Sequence, residues 1–311
     1  MEPREIKNIA LLDLAGASSA DVLDNVSKIR NVAAILVPES LLGRLMAIPM
    51  ENVAATVPIP DGKRVKVMSG QVVMSGEALS APDTDANDVL VVAGQLVITS
   101  PVQQAVQQQI VAIGQVVAPQ GSESGLGAAL KRMSGQVLYY PHTPGANVKV
   151  LTGSVRMSGA ELANLDGQTS DVLITIGSLF ITSATDTVGY QHILTIGSLI
   201  APRESENALR GRVTGLGPGV VYYSAAPRMF DGKETFYGAF FELLDEPITL
   251  VLDGKFTFDE DVSPELLKQK VREIVFDGKL IAPRKLVPML QFLAVQRDGR
   301  IISTDDAESS E

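Results

Sequence analysis

Acidic residues recur in one tripeptide along this chain, and carboxylates are the side chains that hard cations prefer. Asp-Gly-Lys or Asp-Gly-Arg begins at Asp61, Asp231, Asp253, Asp277 and Asp298. On neighbouring strands, about 4.8 Å apart, such carboxylates would form a column that could bind calcium. The alternative is a turn or bulge, which Asp-Gly favours, with each aspartate neutralised by the cation two residues later. We favour the turn or bulge, and we expect neither a metal ion nor a cofactor.

The two histidines, His142 and His192, are the other candidates for chemistry. Neither lies beside a serine or an acid at a spacing typical of a catalytic triad. The chain contains no cysteine, which excludes thiol catalysis and disulfides and leaves little scope for zinc. It also lacks a G-x-S-x-G motif and a phosphate-binding loop. We therefore expect no catalytic residue.

Two tyrosine pairs, Tyr139-Tyr140 and Tyr222-Tyr223, are the most distinctive aromatic feature of a chain with few aromatic residues. Adjacent residues of a strand face opposite ways, so one tyrosine of each pair should pack inward and the other should point outward. Retained hydroxyls indicate either a binding surface or a repeated hydrogen bond inside the protein. We take all four tyrosines as candidate partner-binding residues and leave both explanations open.

Composition and charge limit the possible partners. The net charge is -10, with acidic and basic residues mixed along most of the chain, so we expect no nucleic acid partner. The most apolar window, 89–98, is far shorter than the roughly 20 residues that a membrane-spanning helix needs. The N-terminus, Met1-Glu-Pro-Arg-Glu, does not resemble a signal peptide, and we expect a cytoplasmic protein.

Internal repetition dominates the sequence. Residues 65–140 align with 148–223 without a gap, and Val137-Leu-Tyr-Tyr returns as Val220-Val-Tyr-Tyr. A more diverged third copy spans 228–303, and residues 1–60 resemble a truncated copy. We therefore predict four related units of ~80 residues in a single domain, 1–303. The acidic tail, 304–311, should be disordered.

Within each unit, glycines recur in the middle of stretches rich in valine, isoleucine and leucine. These stretches are typical of buried parallel strands, and the glycines should mark a bend or bulge in each. The glycines expected at equivalent positions are Gly94, Gly114, Gly177, Gly197, Gly254 and Gly278. Short helices are predicted mainly in the terminal copies, at 19–29, 38–48 and 264–271 and after Pro283. The fold class is a β-rich repeat solenoid with ~20 residues per coil.

This pattern of strand, turn, short helix or loop, and strand resembles leucine-rich-repeat proteins and bacterial β-solenoids. The stretch Val271-Arg-Glu-Ile-Val-Phe-Asp-Gly-Lys-Leu-Ile has roughly the L-x-x-L-x-L spacing of those repeats. Lys279 stands where they have asparagine. The resemblance implies stacked coils that present a regular surface, and it implies no particular activity.

The sequence favours a non-catalytic scaffold that binds a protein partner or its own copies, because solenoids present long regular surfaces. One alternative is a self-assembling structural or cytoskeletal protein whose end coils stack head to tail. Another is a β-solenoid that binds or cleaves polysaccharide, which would need acidic residues clustered in a cleft.

Overall fold

A computed structural model describes residues 4–17, 19–81, 88–104, 106, 108–133, 135–217 and 219–308. The chain forms two compact units, Met1–Val148 and Lys149–Glu311. Each unit is rich in β-structure, as the valine, isoleucine and leucine runs predict, and contains two parallel sheets of three to five strands.

Strands of 4 to 13 residues, separated by turns or short helices, make up both units. The strands are β1 (Arg4–Asp13), β2 (Val26–Pro38), β3 (Met50–Ile59), β4 (Arg64–Met74), β5 (Asp88–Ile98), β6 (Gln109–Pro119), β7 (Leu130–Met133), β8 (Val137–Tyr140), β9 (Val148–Met157), β10 (Val172–Ile181), β11 (His192–Pro202), β12 (Val213–Leu216), β13 (Val220–Tyr223), β14 (Pro227–Phe236), β15 (Ile248–Phe258), β16 (Val271–Ala282) and β17 (Ala294–Ser303). The first sheet holds β1–β3, the second β4–β8, the third β9–β13 and the fourth β14–β17.

Equivalent glycines lie side by side on parallel strands, as the repeat predicts. Gly94 pairs with Gly114, Gly177 with Gly197, and Gly254 with Gly278. The pairing is close: a Cβ atom on Gly94, whose φ is +137°, would lie 2.1 Å from the carbonyl oxygen of Gly70. Glycine is therefore required here both for its backbone conformation and for the approach of the neighbouring strand.

The first sheet uses asparagine where the other sheets use glycine. Asn8, Asn31 and Asn52 have φ values of 58°, 53° and 53°, in the left-handed region that asparagine tolerates better than most residues. The Asn31 amide donates to Asn8 at 2.9 Å, and the Asn52 amide donates to Asn31 at 3.0 Å. Side-chain hydrogen bonds thus run from strand to strand at the bend.

Helices among the described residues are short. The α-helices are α1 (Leu42–Met46), α2 (Gly76–Leu79), α3 (Glu123–Gly127), α4 (Gly159–Leu162), α5 (Glu206–Leu209), α6 (Gly238–Glu242), α7 (Pro264–Lys270), α8 (Val287–Leu293) and α9 (Thr304–Glu308). The predicted helices near 38–48, after Ser263 and after Pro283 are confirmed as α1, α7 and α8. The predicted helix over 19–29 is wrong beyond Leu23, where a 3₁₀ helix that begins at Ala20 ends. Asn25 then has φ 62°, and Val26 and Ile29 belong to β2.

Each sheet buries one face against the helices and turns that connect its strands and part of its other face against a second sheet. In Met1–Val148, Leu36 and Val57 of the first sheet pack with Val89 and Val91 of the second. In Lys149–Glu311, Phe180 and Ile200 of the third sheet belong to one cluster with Val275 of the fourth. The two units thus contain the same type of contact between the faces of parallel sheets.

The C-terminal residues differ from the predicted disordered tail. Residues 304–308 form α9, while 309–311 lie outside the described residues. The hydroxyl of Ser303 accepts a hydrogen bond from the backbone N–H of Asp306 and donates one to its carboxylate. This reciprocal contact closes the first turn in the manner of an N-cap. Within the described chain, no helix is long and apolar enough to cross a membrane.

A candidate polar cleft between two sheets

The tyrosine pairs lie at the ends of β8 and β13, and their members occupy different environments. Tyr140 and Tyr223 are buried, and burial raises the pKa of both hydroxyls. Tyr140 donates to the carbonyl of Ile98 at 2.7 Å. Tyr139 is 36% exposed and Tyr222 is half-buried. The first pair therefore has one buried and one exposed member, whereas in the second pair Tyr222 is partly exposed and packs against the hydrophobic core of the third sheet.

The histidines occupy unrelated settings. His192, on β11, is buried with Nε2 2.7 Å from the hydroxyl of Thr214, and burial lowers its pKa. Burial also lowers the pKa of His142, partly opposed by the charge of Glu77. Ser100 donates its hydroxyl proton to Glu77 at 2.5 Å. That direction is unlike a serine nucleophile, which donates to histidine.

The aspartates of the repeated tripeptide form a column across the fourth sheet. Asp231 pairs in register with Asp253, Asp253 with Asp277, and Asp277 with Asp298. We call these four residues the Asp column. The repeated tripeptide made such a column possible. Of the turn or bulge expected at Asp-Gly, the turn is wrong for these four, whereas Gly232, Gly254 and Gly278 have a positive φ within their strands. The register places their tripeptides within strands rather than in turns between them.

The lysines expected to neutralise the aspartates do not do so. Within the described residues, no ion pair joins an aspartate of the Asp column to the Lys or Arg two residues later. Burial, together with the charges of Asp253 and Asp298, raises the pKa of Asp277. The carboxylates of the Asp column therefore repel one another, and the lysines two residues later do not neutralise their charge.

Serines of the third sheet lie across from the Asp column. Ser154, Ser178 and Ser198 each follow the glycine at the bend of β9, β10 and β11. Ser154 and Ser178 line a cleft with the aspartates, and the hydroxyl of Ser198 contacts Asp298. Phe180 contributes an apolar wall. The space open to the centres of water molecules is ≈ 40 Å³. One water needs about 10–15 Å³ by this measure, so the cleft suits an ion or a few waters rather than an organic substrate.

Two ends of the Asp column have partners from inside the cleft. At the first, Arg156 donates to Asp231 at 2.6 Å. At the last, Asp298 accepts bonds from Ser198 at 3.3 Å and from the Gln296 amide at 3.0 Å. The middle members, Asp253 and Asp277, have no comparable contact with the third sheet among the described residues.

Gln296 is the residue that sequence reasoning missed. It is only 8% exposed, and its amide nitrogen donates to Ser198 at 2.5 Å, whereas its Oε1 is buried without a hydrogen-bond partner among the described residues. Its register partner on β16 is Val275. Aligning the tripeptides puts Met229, Val251, Val275 and Gln296 in one apolar column. A polar residue in that column was the signal available in the sequence.

The cleft offers oxygen ligands and hydrogen-bonding groups. It does not bring together an acid, a base and a nucleophile. Among the described residues, no group of three or more His, Cys, Asp or Glu is placed to hold one metal ion. Any cation in the cleft would thus be bound by two carboxylates together with neutral oxygens. Comparisons of the chain with models of known protein families, with curated proteins and with solved structures gave no match.

Proposed function

We propose that this protein is a non-catalytic scaffold that binds a protein partner through the outward tyrosines of its repeats. In this proposal the chain is a repeat solenoid of parallel coils with ~20 residues per coil, and its copies span about 1–60, 65–140, 148–223 and 228–303. The strands of each sheet fall within one of these copies, to within a residue, which supports the division.

The observation that carries the proposal is the difference between the two tyrosines of each pair. The buried hydroxyls of Tyr140 and Tyr223 donate equivalent hydrogen bonds, so an internal contact accounts for their retention. No such bond among the described residues accounts for Tyr139, which is exposed, or for Tyr222. Tyrosine is favoured at interfaces because its ring is apolar and its tip is polar. We therefore assign partner binding to Tyr139 and Tyr222, and internal structure to Tyr140 and Tyr223.

Features of the first and last strands favour a scaffold over head-to-tail assembly. The first sheet carries ion pairs between Arg30 and Glu5 at 2.7 Å and between Lys28 and Glu51 at 2.5 Å. Glu5 and Lys28 lie three residues before the asparagine bend, where the second sheet has Val67 and Val91 before its glycines. At the other terminus, α9 lies against β16 and β17. Polar or covered ends are how repeat arrays avoid stacking.

The test compares variants that remove the outward rings. Tyr139→Ser with Tyr222→Ser should abolish recovery of a partner that wild type retains from an extract of its source. Tyr237→Ser is the matched control, since Tyr237 is 54% exposed and belongs to no repeated pair. Sedimentation of the purified protein separates self-association from binding of another protein. Retention of every partner by the double variant, with an unchanged melting temperature, would exclude the proposed surface.

A further inference from the structure

We propose that the cleft between the third and fourth sheets binds a hard divalent cation of the calcium type. Its ligands are the carboxylates of Asp277 and Asp298, the side-chain oxygen of Gln296 and the hydroxyl of Ser198. This site is independent of the proposed partner-binding residues Tyr139 and Tyr222. It adds a small ligand to the protein partner already proposed.

Uncompensated negative charge is the first argument. Within the described residues, the only ion pair of the Asp column is the one between Asp231 and Arg156. Asp277 is flanked in register by Asp253 and Asp298, and strands at about 4.8 Å keep these carboxylates close. Like charges at this spacing repel each other, whereas a divalent ion between two of them converts repulsion into attraction.

The buried amide of Gln296 is the second and independent argument. Three strands fill this register position with Met229, Val251 and Val275, so an apolar residue fits it. Gln296 instead brings a polar side chain into the cleft lining, and its nitrogen makes both of its hydrogen bonds there. The Oε1 atom is left buried without a partner among the described residues. A buried unsatisfied oxygen destabilises the folded state, and a bound cation would remove this penalty.

The donor set identifies the chemistry of the ligand. Each proposed ligand atom is an oxygen, which suits calcium or magnesium and does not suit zinc, whose sites rely on nitrogen and sulfur. Both hydrogen bonds to Asp298 use Oδ2, which leaves Oδ1 for a cation. The ≈ 40 Å³ open to water centres holds an ion with one or two waters. Calcium accepts such mixed and irregular oxygen ligands more readily than magnesium does.

A lysine or arginine from a partner protein is the main competitor for the two carboxylates. It would satisfy the charge, and a Gln296 oxygen could accept from it. The choice of a divalent ion rests on the small space, ≈ 40 Å³, that Asp277, Asp298 and Gln296 line, a space of ion size. The buried hydroxyl of Ser198 contacts two of these three residues. The two occupants differ in a direct measurement, because only the ion binds without any other macromolecule.

The test is titration of the full chain with calcium chloride, followed by calorimetry, and with terbium, followed by sensitised emission. Tyr223 can act as the sensitiser because its ring stacks at 5.2 Å on Phe180, which lines the cleft. We expect a dissociation constant on the order of 10⁻⁴–10⁻³ M, as for calcium sites with few charges. Magnesium should bind more weakly and compete poorly with terbium.

Two variants and one control locate the site. Asp277→Asn should weaken calcium binding at least tenfold, and Gln296→Met should weaken it several-fold while preserving the melting temperature of the calcium-free protein. Asp61→Asn changes the same tripeptide in the other compact unit, where Ser40 donates to Asp61, and should leave calcium affinity unchanged. Absence of millimolar binding by the wild type, or equal binding by the wild type and both cleft variants, would overturn the proposal.

Discussion

The hydroxyl of Tyr140 donates a 2.7 Å hydrogen bond to the backbone carbonyl of Ile98. In the next repeat, Tyr223 makes the same bond to Ile181 at 2.8 Å. Both tyrosines lie on the last short strand of their sheet, and both bonds reach back 42 residues along the chain. The second strand of each sheet is thereby linked to its last strand by a side chain as well as through the intervening ladder.

Tyr140→Phe tests how much this hydrogen bond contributes to the free energy of unfolding. Removing the hydroxyl leaves the Ile98 carbonyl buried without its donor, so we expect a loss of about 1–3 kcal/mol in the free energy of unfolding. Urea denaturation monitored by far-UV circular dichroism measures the change. Tyr139→Phe is the control and should stay within about 0.5 kcal/mol of wild type. Equal effects of the two substitutions would show that the internal bond has no special weight.

Gly94→Ala tests the close approach of strands at the bend. The new Cβ would meet the Gly70 carbonyl oxygen 2.1 Å away on a backbone with φ +137°. We expect a loss of at least about 3 kcal/mol, measured by urea denaturation, or failure to fold. Gly62→Ala separates conformation from contact, because Gly62 has φ +78° and a methyl group there would meet nothing within 4 Å. It should lose only about 1–2 kcal/mol.

Asn31 allows the hydrogen-bonded bend of the first sheet to be dissected. Asn31→Gly removes the bonds to Asn8 and Asn52 and relieves the left-handed backbone, whereas Asn31→Ala removes the bonds and adds strain. We expect Asn31→Ala to be less stable than Asn31→Gly by about 1–2 kcal/mol in thermal or urea unfolding. Because both variants lack the side-chain bonds, equal stability of the two would show that the left-handed backbone carries no such cost at this position.

Asp277 should make stability depend on pH. Burial and its neighbours raise its pKa above the ordinary value of 3.8, so the folded protein binds this proton more tightly than the unfolded chain. The contribution of Asp277 is therefore most favourable below pH 3.8 and is lost as pH rises through the folded-state pKa. In calcium-free buffer, Asp277→Asn should be more stable than wild type at pH 7, and the difference should vanish toward about pH 3. A pH-independent difference in urea denaturation would contradict this origin.

Duplication made the strand pairing predictable. Because Gly94 and Gly177 occupy equivalent positions in two copies, and each lies within an apolar run, parallel neighbours in glycine register follow from sequence alone. The 3₁₀ turn and β2 did not follow, because Val22, Leu23, Val26 and Ile29 fit helical spacing. A single left-handed residue, Asn25, divides this apparent helix, and asparagine alone does not specify that conformation.

The cleft was harder to predict than the strands. The spacing of the tripeptides aligns Gln296 with the apolar column, but it does not show that the side chain meets Ser198 of another sheet. The Asp column was visible in the sequence, yet lysines two residues away made local neutralisation plausible. Side chains two residues apart share a face, but ion pairing also depends on rotamers and on the opposing sheet. The sequence alone does not single out serines such as Ser198, because their contacts depend on the opposing sheet.

The bend at each glycine also constrains how this chain can change in length. Gln95 lies 24 residues after Gln71 and 20 before Gln115, and their amides contact one another from strand to strand. Deleting a whole interval of this kind removes one strand together with its connection and leaves the remaining bends aligned. Deleting one residue inside a strand turns the side chains beyond it to the opposite face and moves a Cβ atom against a neighbouring carbonyl. Insertions and deletions compatible with folding should therefore comprise a whole strand with its connection, or fall in the turns. The length of the protein would then change by one strand at a time.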